Sequence, residues 1–516
     1  MIFPSPAKYQ SKLRRRTIIV SLEEAVYPFL PKGGPLKRFE AWRNATEKGF
    51  ELDLRSQLYN DLPRQEVSER MWEELGLSEL PSPLIAFEES EREKIGPMSI
   101  QAPFGEREGS LSEWYNPATV APQDAENFSN VIASILPNGG IEPLDLGTAV
   151  QALPKRKGLG LPYLGSDPAD LEHYISRAQD VLNGDAGDVY DAMLYWRGTP
   201  GGPKPEDVKQ RNVTGMDKID AILGGRFVYP LTDYLKQRRP FSAWINLEAV
   251  DENITFLLER SGREKISMDY TSFGPGIVTD LVDRVMFAVG RAFTNDVGLG
   301  LVTWGILNCG IVTPRGVHRS RTSGWPTGTS FTSVGDTLTN YGISHCVAKD
   351  TGTQLVFEQY LGDDSVLDFR PEIPEDEFSD AVSRYGVTTN AEKRYRDPDA
   401  VHYLQNVYSL DYQVDGVSRG VRPASRMLNG ALSYERRRSE WNGWLAASRT
   451  LMQLNNCRWH PKFSELRDFI YRGDERLEQY SPAEIFSHAG GKSEVERILG
   501  YDAFSTTTQD FSESEW

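Results

Sequence analysis

The alternation of apolar and polar residues in the second half of the chain predicts a β-hairpin. Apolar runs at residues 355–357 and 366–367 flank the tripeptide Gly362-Asp363-Asp364. Two short β-rich runs joined by Gly and Asp are typical of a hairpin whose turn residues adopt positive φ. Such a turn presents two adjacent carboxylates at one point of a buried sheet, and Mg²⁺ binds carboxylate oxygens together with substrate phosphates. A solvated Asp-Asp turn is the alternative interpretation of this motif alone.

Earlier in the chain, the pattern predicts a strand followed by a helix. Residues 266–273 are typical of a β-strand that carries Asp269. After Gly274 apolar residues recur at helical spacing, and Pro275 suits a first helical turn. The predicted apolar stripe consists of Ile277, Leu281, Val285, Ala288 and Ala292. A carboxylate near the end of a strand is common in catalytic sites and also in ordinary turns.

A loop of small residues and a third amphipathic segment follow at residues 311–345. The loop leads into a predicted helix with Phe331, Val334, Leu338 and Tyr341 on one side. Thr332, Asp336 and Asn340 fall at i, i+4 and i+8 on another side. This polar stripe suits recognition of a sugar and a phosphate, and an ordinary N-capped amphipathic helix is the alternative.

Two basic segments precede these elements. Lys155, Arg156 and Lys157 lead into a glycine-rich loop at residues 158–165, where exposed backbone amides can approach a phosphate. The alternation at residues 209–213 predicts a strand with Lys209 and Arg211 on the same face. A solvated basic edge strand is the alternative for the second segment.

The rest of the chain gives weaker signals. Residues 61–125 are acidic and interrupted by proline, which favours an extension over the surface. Residues 385–393 predict a helix end and a turn that carries Lys393, and residues 403–409 predict a strand. The pattern then predicts helices to about residue 500, and residues 503–516 are typical of a loose acidic tail.

Composition narrows the classes of function. The chain has 516 residues and a formal net charge of −17, which argues against nonspecific coating of nucleic acid but permits an enclosed basic channel. No apolar run is long enough for a membrane span, and we expect no signal peptide. The three cysteines and six histidines are scattered, so we expect a reducing compartment and no zinc site.

The order of these segments resembles the palm motifs of viral RNA-dependent RNA polymerases. Motif A would contain Asp269, motif B residues 327–336, motif C Gly362-Asp363-Asp364 and motif D Lys393. Tyr403-Leu404 resembles motif E, Lys209 and Arg211 resemble motif F, and residues 157–165 resemble the template-entry motif G. Residues 324–336 and 361–365 are most similar to the polymerases of the double-stranded RNA picobirnaviruses, and then to those of partitiviruses.

The resemblance implies an α+β fold with right-hand polymerase architecture. Fingers would occupy residues 61–255, with residues 300–335 inserted. The palm, an antiparallel sheet with helices, would occupy residues 256–410, and a helical thumb with the acidic tail would occupy residues 411–516. Residues 1–60 would form an N-terminal extension that ties fingers to thumb.

The resemblance also implies a chemistry, template-directed nucleotidyl transfer from NTPs for replication and transcription of a double-stranded RNA genome. Asp269 and Asp363 would bridge two Mg²⁺ ions, with Mn²⁺ as an alternative, and Asp364 would support them. Lys393 would protonate the pyrophosphate leaving group. The NTP-binding residues would be Lys209, Arg211, Ser323, Thr327, Gly328, Thr332 and Asp336. The RNA-binding residues would be Lys155, Lys157, Gly158, Arg226, Arg319 and Arg321.

The expected partners are template RNA, nascent RNA and NTPs, with viral capsid protein as a further partner and no membrane. The resemblance implies a monomer that works in the virion interior and the host cytoplasm.

Two positions depart from the family pattern. Gly274 stands where motif A has a second Asp, which contacts the ribose 2′-OH together with the residue equivalent to Asp336. Thr327 replaces the usual Ser of motif B and keeps the hydroxyl. The main alternative function is a catalytically impaired polymerase-fold protein that binds RNA or capsid, and Gly274 is its argument. A reverse transcriptase and a two-metal nuclease agree less well with the order of the motifs.

Overall fold

The computed structural model describes residues 18–153, 160–165, 168–185, 188–390, 394–436 and 440–499. The strands are β1 (Ile18–Val20), β2 (Ala192–Thr199), β3 (Lys209–Gly215), β4 (Lys265–Ser267), β5 (Tyr270–Thr271), β6 (Ile311–Thr313), β7 (Gly316–Arg319), β8 (Gln354–Leu361), β9 (Asp364–Arg370), β10 (Thr388–Thr389), β11 (Tyr395–Asp397), β12 (Ala400–Tyr403) and β13 (Asn406–Ser409).

The α-helices are α1 (Leu22–Ala25), α2 (Gly34–Lys48), α3 (Arg64–Leu75), α4 (Ser82–Arg92), α5 (Phe104–Arg107), α6 (Pro122–Ile135), α7 (Leu146–Gln151), α8 (Pro168–Leu182), α9 (Lys218–Leu235), α10 (Leu247–Ser261), α11 (Phe273–Gly276), α12 (Thr279–Ala292), α13 (Leu299–Asn308), α14 (Thr332–Asp350), α15 (Glu375–Ser383), α16 (Ala424–Leu432), α17 (Gly443–Asn455), α18 (Phe463–Arg472), α19 (Glu475–Gln479), α20 (Pro482–His488) and α21 (Lys492–Leu499). Short 3₁₀ helices lie at Tyr27–Phe29, Leu77–Glu79, Glu108–Tyr115, Pro205–Asp207 and Arg239–Trp244. None of these helices combines the length and apolar character needed to cross a membrane.

A four-stranded antiparallel sheet forms the centre of the fold, in the order β11-β4-β9-β8. The predicted hairpin is confirmed, because β8 and β9 pair from Gln354↔Arg370 to Leu361↔Asp364. Helix α14 packs against β8, α6 and α12, and the largest apolar cluster lies in this layer. The sheet therefore has helices behind it, as the predicted palm requires.

The apolar stripes predicted for the two palm helices are also confirmed. Every residue of the stripe at 277–292 is buried, and so are the four residues of the stripe at 331–341. The predicted boundaries need correction, however. The strand predicted at 266–273 is interrupted at Asp269, and the long helix begins at Thr279, while Pro275 lies in the single turn of α11.

The strand predicted at residues 403–409 is a tight hairpin of β12 and β13. Leu404 and Gln405 form its turn with φ of 51° and 65°. Two adjacent residues with positive φ reverse the direction of the chain. Because neither residue is glycine, the pattern of apolar residues does not indicate this turn.

A second, five-stranded sheet has the order β1-β7-β6-β2-β3 and contains the predicted basic strand. Strand β3 pairs with β2 along its whole length, and β1 pairs with β7. The N-terminal segment thus adds an edge strand to this sheet.

The C-terminal helices share their core with an earlier part of the chain. Residues 58–95 supply Leu58, Val67, Met71, Leu75, Leu77, Leu80, Leu84 and Ile95 to the apolar cluster formed with residues 407–499. The acidic segment from residue 61 onwards was predicted to be a surface extension at the start of the fingers. Helices α3 and α4 instead bury one face each against α16 and α18, so the prediction of a surface extension was wrong for residues 61–95.

The segment before residue 60 contacts both regions. While β1 joins the five-stranded sheet, the N–H of Ser56 donates to the carbonyl of Leu432 at 2.9 Å, and the N–H of Tyr434 donates to that of Leu54 at 2.9 Å. The N-terminal segment therefore joins the five-stranded sheet to the C-terminal helices.

Candidate active site

The Gly-Asp-Asp tripeptide forms the turn between β8 and β9. Leu361 pairs with Asp364, so Gly362 and Asp363 form a two-residue loop, and Gly362 has a φ of 65°. Glycine adopts this conformation without a Cβ clash, which explains its place at the first turn position. The Asp363 residue is exposed at the tip of the turn.

Helix α14 holds this turn through two side chains. The N–H of Gly362 donates to the Thr337 hydroxyl at 2.8 Å. The Asn340 amide donates to the carbonyls of Gly362 at 3.2 Å and Asp363 at 3.0 Å. Its Oδ1 accepts the Tyr270 hydroxyl at 3.0 Å. Since Asn340 is fully buried, these bonds fix the turn relative to the helix.

Strand pairing places Asp269 beside the turn. Strands β4 and β9 pair through Ile266↔Leu367 and Ser267↔Val366, and the N–H of Met268 donates to the Ser365 carbonyl at 2.9 Å. The chain reaches Asp269 directly after this contact, and the charge of Asp269 contributes to the raised pKa of Asp364. The carbonyl of Asp269 also accepts the Asn390 N–H at 2.9 Å.

The carboxylates of this group interact electrostatically. Burial raises the pKa of Asp364 to about 7, and the negative charges of Asp363 and then Asp269 add to the rise. The positive charge of Arg426 and a hydrogen bond from the Leu404 N–H act in the opposite direction. Three acidic side chains thus repel one another at one end of the sheet, which is the condition that a divalent cation relieves.

The donor chemistry of this group fits Mg²⁺, although it does not form a closed cage. Within the described ranges, no three His, Cys, Asp or Glu side chains are grouped as a metal site. Magnesium in phosphoryl-transfer sites is commonly held by one or two carboxylates together with waters and substrate phosphates. Asp269 and Asp363 suit that open arrangement, whereas Asp364 also accepts a backbone hydrogen bond.

Gly274 and Asp336 face each other next to this group. A Cβ on Gly274 would lie 3.4 Å from Oδ2 of Asp336 and 3.7 Å from its Oδ1. Oδ1 is buried and has no hydrogen-bond partner among the residues that the structure describes. Burial, followed by the charge of Asp363, raises the pKa of Asp336 well above its usual range. An unsatisfied buried oxygen is costly, so this position favours a polar ligand atom.

The loop before α14 is attached to β3. The hydroxyl of Thr327 accepts the Thr214 N–H at 2.7 Å. At Gly328, an added Cβ would lie 2.1 Å from the Thr214 carbonyl oxygen, so this close approach requires glycine. Thr332 donates to the carbonyls of Pro326 and Thr329, both at 3.0 Å, and stabilises the loop itself.

Asp220 attaches helix α9 to the same loop. Asp217 caps α9 by accepting the Ile219 N–H at 3.1 Å, and this places Asp220 in the first turn. The carboxylate of Asp220 accepts the Thr329 hydroxyl at 2.8 Å and the Ser330 N–H at 2.7 Å. Burial raises the pKa of Asp220 to about 6. The basic strand, α9 and the loop are therefore held together as one unit.

The predicted NTP-binding residues divide into two groups. Lys209 and Arg211 are both exposed on β3, which confirms the predicted strand and its shared basic face. The loop attached to this strand carries Thr327 and Gly328, and Asp336 lies on the helix that follows. Ser323 lies elsewhere, fully buried, where its hydroxyl accepts the Asn116 N–H at 3.1 Å and donates to the carbonyl of Glu113 at 3.3 Å.

The structure contradicts two of the predicted RNA contacts, those of Arg226 and Arg321. Arg226 is buried and donates to the carbonyls of Leu144 at 2.8 Å and Val297 at 2.9 Å. Arg321 is also buried, and its guanidinium donates to the carbonyls of Cys309 at 3.0 Å and Ser323 at 2.9 Å. Both arginines hold the protein backbone, because their donors are already directed at main-chain oxygens.

Arg319 is exposed and forms an ion pair with Asp191 at 2.8 Å. The other predicted residues lie outside the described residues, namely Lys155, Lys157, Gly158 and Lys393. Their roles stay predictions.

Several contributors to the site were missed by the sequence analysis. Thr337 was not singled out, Asn340 was assigned to sugar or phosphate recognition, and Asp220 was not considered. The i, i+4, i+8 spacing placed Asn340 near the site but did not reveal that it binds the turn. The spacing Asp217-x-x-Asp220 at a helix start is a common capping pattern and would not have indicated a contact with residues 329–330.

Comparisons with known proteins agree with this arrangement. A family model described as viral RNA-dependent RNA polymerase matches residues 197–469. The chain is 26% identical over 454 residues to a potential RNA-dependent RNA polymerase of a human picobirnavirus (strain Human/Thailand/Hy005102/-), with 82% of each chain covered.

Solved structures are similar as well. The crystal structure of the RNA-dependent RNA polymerase of a human picobirnavirus matches with a TM-score of 0.80 and 22% identity, covering 94% of this chain and 97% of that one. An insertion-loop deletion mutant of a human picobirnavirus polymerase matches with a TM-score of 0.79 and 23% identity, covering 93% and 97%. These matches establish a shared fold.

Proposed function

The chain belongs to the viral RNA-dependent RNA polymerases, and we propose that it joins NTPs on an RNA template in an active site formed by Asp269, Asp363 and Asp364. The observation that supports this proposal is the mutual electrostatic influence of the three carboxylates, since the charges of Asp363 and Asp269 both raise the pKa of Asp364. The similarity to picobirnavirus polymerases supports replication and transcription of a double-stranded RNA genome.

The reaction is attack of the 3′-OH of the growing strand on the α-phosphate of an NTP, with release of pyrophosphate. Asp269 and Asp363 would hold the divalent cations, Mg²⁺ or alternatively Mn²⁺, and Asp364 would support them. Bound in such a site, two cations stabilise the attacking and leaving oxygens. Asn340 binds the carbonyl of Asp363 and Thr337 binds the N–H of the preceding Gly362, so the Asp363 carboxylate needs little reorganisation when substrate binds.

The basic strand would bind the triphosphate. Lys209 and Arg211 are exposed on one face of β3, and Thr327, Gly328 and Asp220 attach this strand and α9 to the loop before α14. Phosphate recognition on β3 and sugar recognition near Asp336 are thereby fixed relative to each other. Protonation of the pyrophosphate by Lys393 is part of the same proposal.

The polymerase lobes follow from the packing. We assign the central sheet with α12 and α14 to the palm, and the five-stranded sheet to the fingers. The thumb comprises the C-terminal helices together with residues 58–95, since they share one apolar core. Contact with capsid protein, a monomeric state, and location in the virion interior and host cytoplasm stay predictions.

One observation favours the alternative function, a catalytically impaired polymerase that binds RNA or capsid. Gly274 supplies no carboxylate opposite Asp336, so the pair of side chains that the family uses at the ribose is incomplete. The two functions are separated by metal-dependent synthesis on a short single-stranded RNA. Synthesis that is lost in Asp269→Asn, but kept in a variant of the exposed Asp376 (Asp376→Asn), supports the polymerase. RNA binding without any synthesis supports the alternative.

A further inference from the structure

A cavity of about 300 Å³ lies between the N-terminal segment and helix α13. Its walls include Phe29, the pair Leu161 and Pro162, Tyr190, and Trp304. Its polar lining consists of Arg319, Asp191, Asp188 and Asn308. Within the described part of the chain, none of the active-site carboxylates lines this cavity. Its volume is at the lower end of the range for pockets that bind small organic ligands, which suits one heterocycle better than a large ligand.

The cavity has two exposed aromatic walls. Phe29 is 54% exposed and Trp304 is 52% exposed, and both are among the most exposed large apolar side chains described. The ring of Phe29 packs edge-on against Tyr190, with 5.9 Å between the ring centroids. Exposed aromatic rings that converge on a cavity provide flat apolar surface for stacking a planar ligand.

The polar side of the cavity contains an ion pair, next to Asp188 and Asn308. A nitrogen of Arg319 lies 2.8 Å from Oδ2 of Asp191, while Oδ1 of Asp191 accepts the Gly310 N–H at 2.6 Å. The Arg319 side chain remains 46% exposed, and that of Asp191 remains 14% exposed. A guanidinium beside a carboxylate offers donors and an acceptor side by side, as the edge of a nucleobase requires. The pair itself is neutral and Asp188 adds a negative charge to the lining, so the cavity favours a base over a free phosphate.

The position of the cavity indicates the source of the base. Leu161 and Pro162 belong to the loop that resembles the template-entry motif, so single-stranded RNA would pass next to Phe29 and Trp304. We propose that the cavity binds one nucleobase of single-stranded RNA by stacking on Trp304 and Phe29, with its edge on Arg319 and Asp191. Purines bind better than pyrimidines because they stack over a larger area. This inference rests on the proposed function.

The test is equilibrium binding of a fluorescent eight-residue oligoadenylate, measured by anisotropy with the full chain and without NTPs. Trp304→Ala is expected to weaken RNA binding about tenfold, the amount expected for loss of one stacked base. Trp304→Phe is expected to retain most of the affinity. Phe287→Ala is the matched control, because Phe287 is an aromatic residue 58% exposed on α12 and does not line the cavity.

Further binding measurements identify the ligand and separate this proposal from the proposed function. An abasic oligomer of equal length is expected to bind wild type and Trp304→Ala equally. Asp363→Ala is expected to abolish synthesis but keep Trp304-dependent binding, so the two proposals fail independently. Equal affinity of wild type and Trp304→Ala for oligoadenylate overturns the inference. Binding of adenosine monophosphate that depends on Trp304, with RNA binding unaffected, would assign the cavity to free nucleotides and also overturn it.

Discussion

Gly274 leaves room directly in front of the Asp336 carboxylate, since a Cβ there would lie 3.4 Å from Oδ2. This distance is an ordinary van der Waals contact, and Gly274 does not have a positive φ. A small side chain therefore fits sterically. A second carboxylate would face a buried acidic group whose pKa is already raised by burial.

We expect Gly274→Ala to change the free energy of unfolding by less than about 1 kcal/mol, because it fits and only reduces the freedom of the unfolded chain. Gly274→Asp is expected to destabilise the fold by about 1–3 kcal/mol at neutral pH through like-charge repulsion and desolvation. Since repulsion raises the folded-state pKa values of the two acids, this loss decreases as pH falls and one of them is protonated. Denaturant titrations of both variants at two pH values measure the free energy of unfolding. A loss of stability in Gly274→Asp that does not depend on pH would contradict the expected repulsion.

Asn340 connects α14 to the turn that carries Asp363. We expect Asn340→Ala to destabilise the protein by about 2–4 kcal/mol, because two carbonyls and the Tyr270 hydroxyl lose a buried partner. RNA synthesis is expected to fall further than stability explains, since the Asp363 carboxylate becomes mobile. Thr337→Val should show the same effects to a smaller extent.

Thr339→Val is the control for this helix. Thr339 is also buried on α14, but its hydroxyl donates to the Gly335 carbonyl at 2.7 Å and no contact with the turn is described for it. Loss of stability in Thr339→Val without a specific loss of synthesis would support the role of the turn contacts. An equal loss of synthesis in Thr337→Val and Thr339→Val would contradict the role of the turn contacts.

Asp220 gives a prediction for pH. Its pKa of about 6 in the folded protein exceeds the value of about 3.9 in an unfolded chain, so the folded state binds more protons between these values. The contribution of Asp220 to stability is therefore fully present below about pH 4 and decreases by about 3 kcal/mol as pH rises through about 6. Asp220→Asn removes this component, so its stability should depend less on pH in this interval than that of wild type. Parallel pH profiles of wild type and Asp220→Asn would contradict the assignment, and the exposed Asp376→Asn serves as control.

Metal binding can be measured without catalysis. We expect Mg²⁺ or Mn²⁺ to raise the Tm of wild type, because a ligand present at five times its Kd stabilises the folded state by about 1 kcal/mol. Asp363→Asn is expected to remove most of this shift, EDTA to reverse it, and Asp376→Asn to retain it. An undiminished shift in Asp363→Asn would place the ion elsewhere.

The sequence allowed prediction of those parts of the fold that depend on local pattern. The hairpin at Gly362 and the buried stripe of α12 follow from periodicities of two and 3.6 residues, and the structure confirms both. The burial of Arg226 and Arg321 could not be predicted, because an arginine that binds backbone carbonyls has the same sequence signature as one that binds RNA.

Long-range packing could likewise not be predicted from the pattern of apolar and polar residues. The acidic segment after residue 61 forms helices whose apolar faces complete the core of the C-terminal helices, more than 300 residues later in the chain. The contacts of Asn340 with the turn and of Asp220 with residues 329–330 depend on the same kind of tertiary packing. The order of motifs was informative because it reflects the chemistry, whereas individual side-chain partners depend on the three-dimensional arrangement.

The most direct test is template-directed synthesis on a short single-stranded RNA with Mg²⁺, comparing NTPs with dNTPs for wild type, Gly274→Asp and Asp363→Ala. The account predicts that wild type makes RNA, that Asp363→Ala does not, and that any change in preference between NTPs and dNTPs appears in Gly274→Asp. Synthesis by Gly274→Asp alone would mean that the chain as it stands is an impaired polymerase. Synthesis by Asp363→Ala at the wild-type rate, or no synthesis by any of the three proteins, would contradict the central claim.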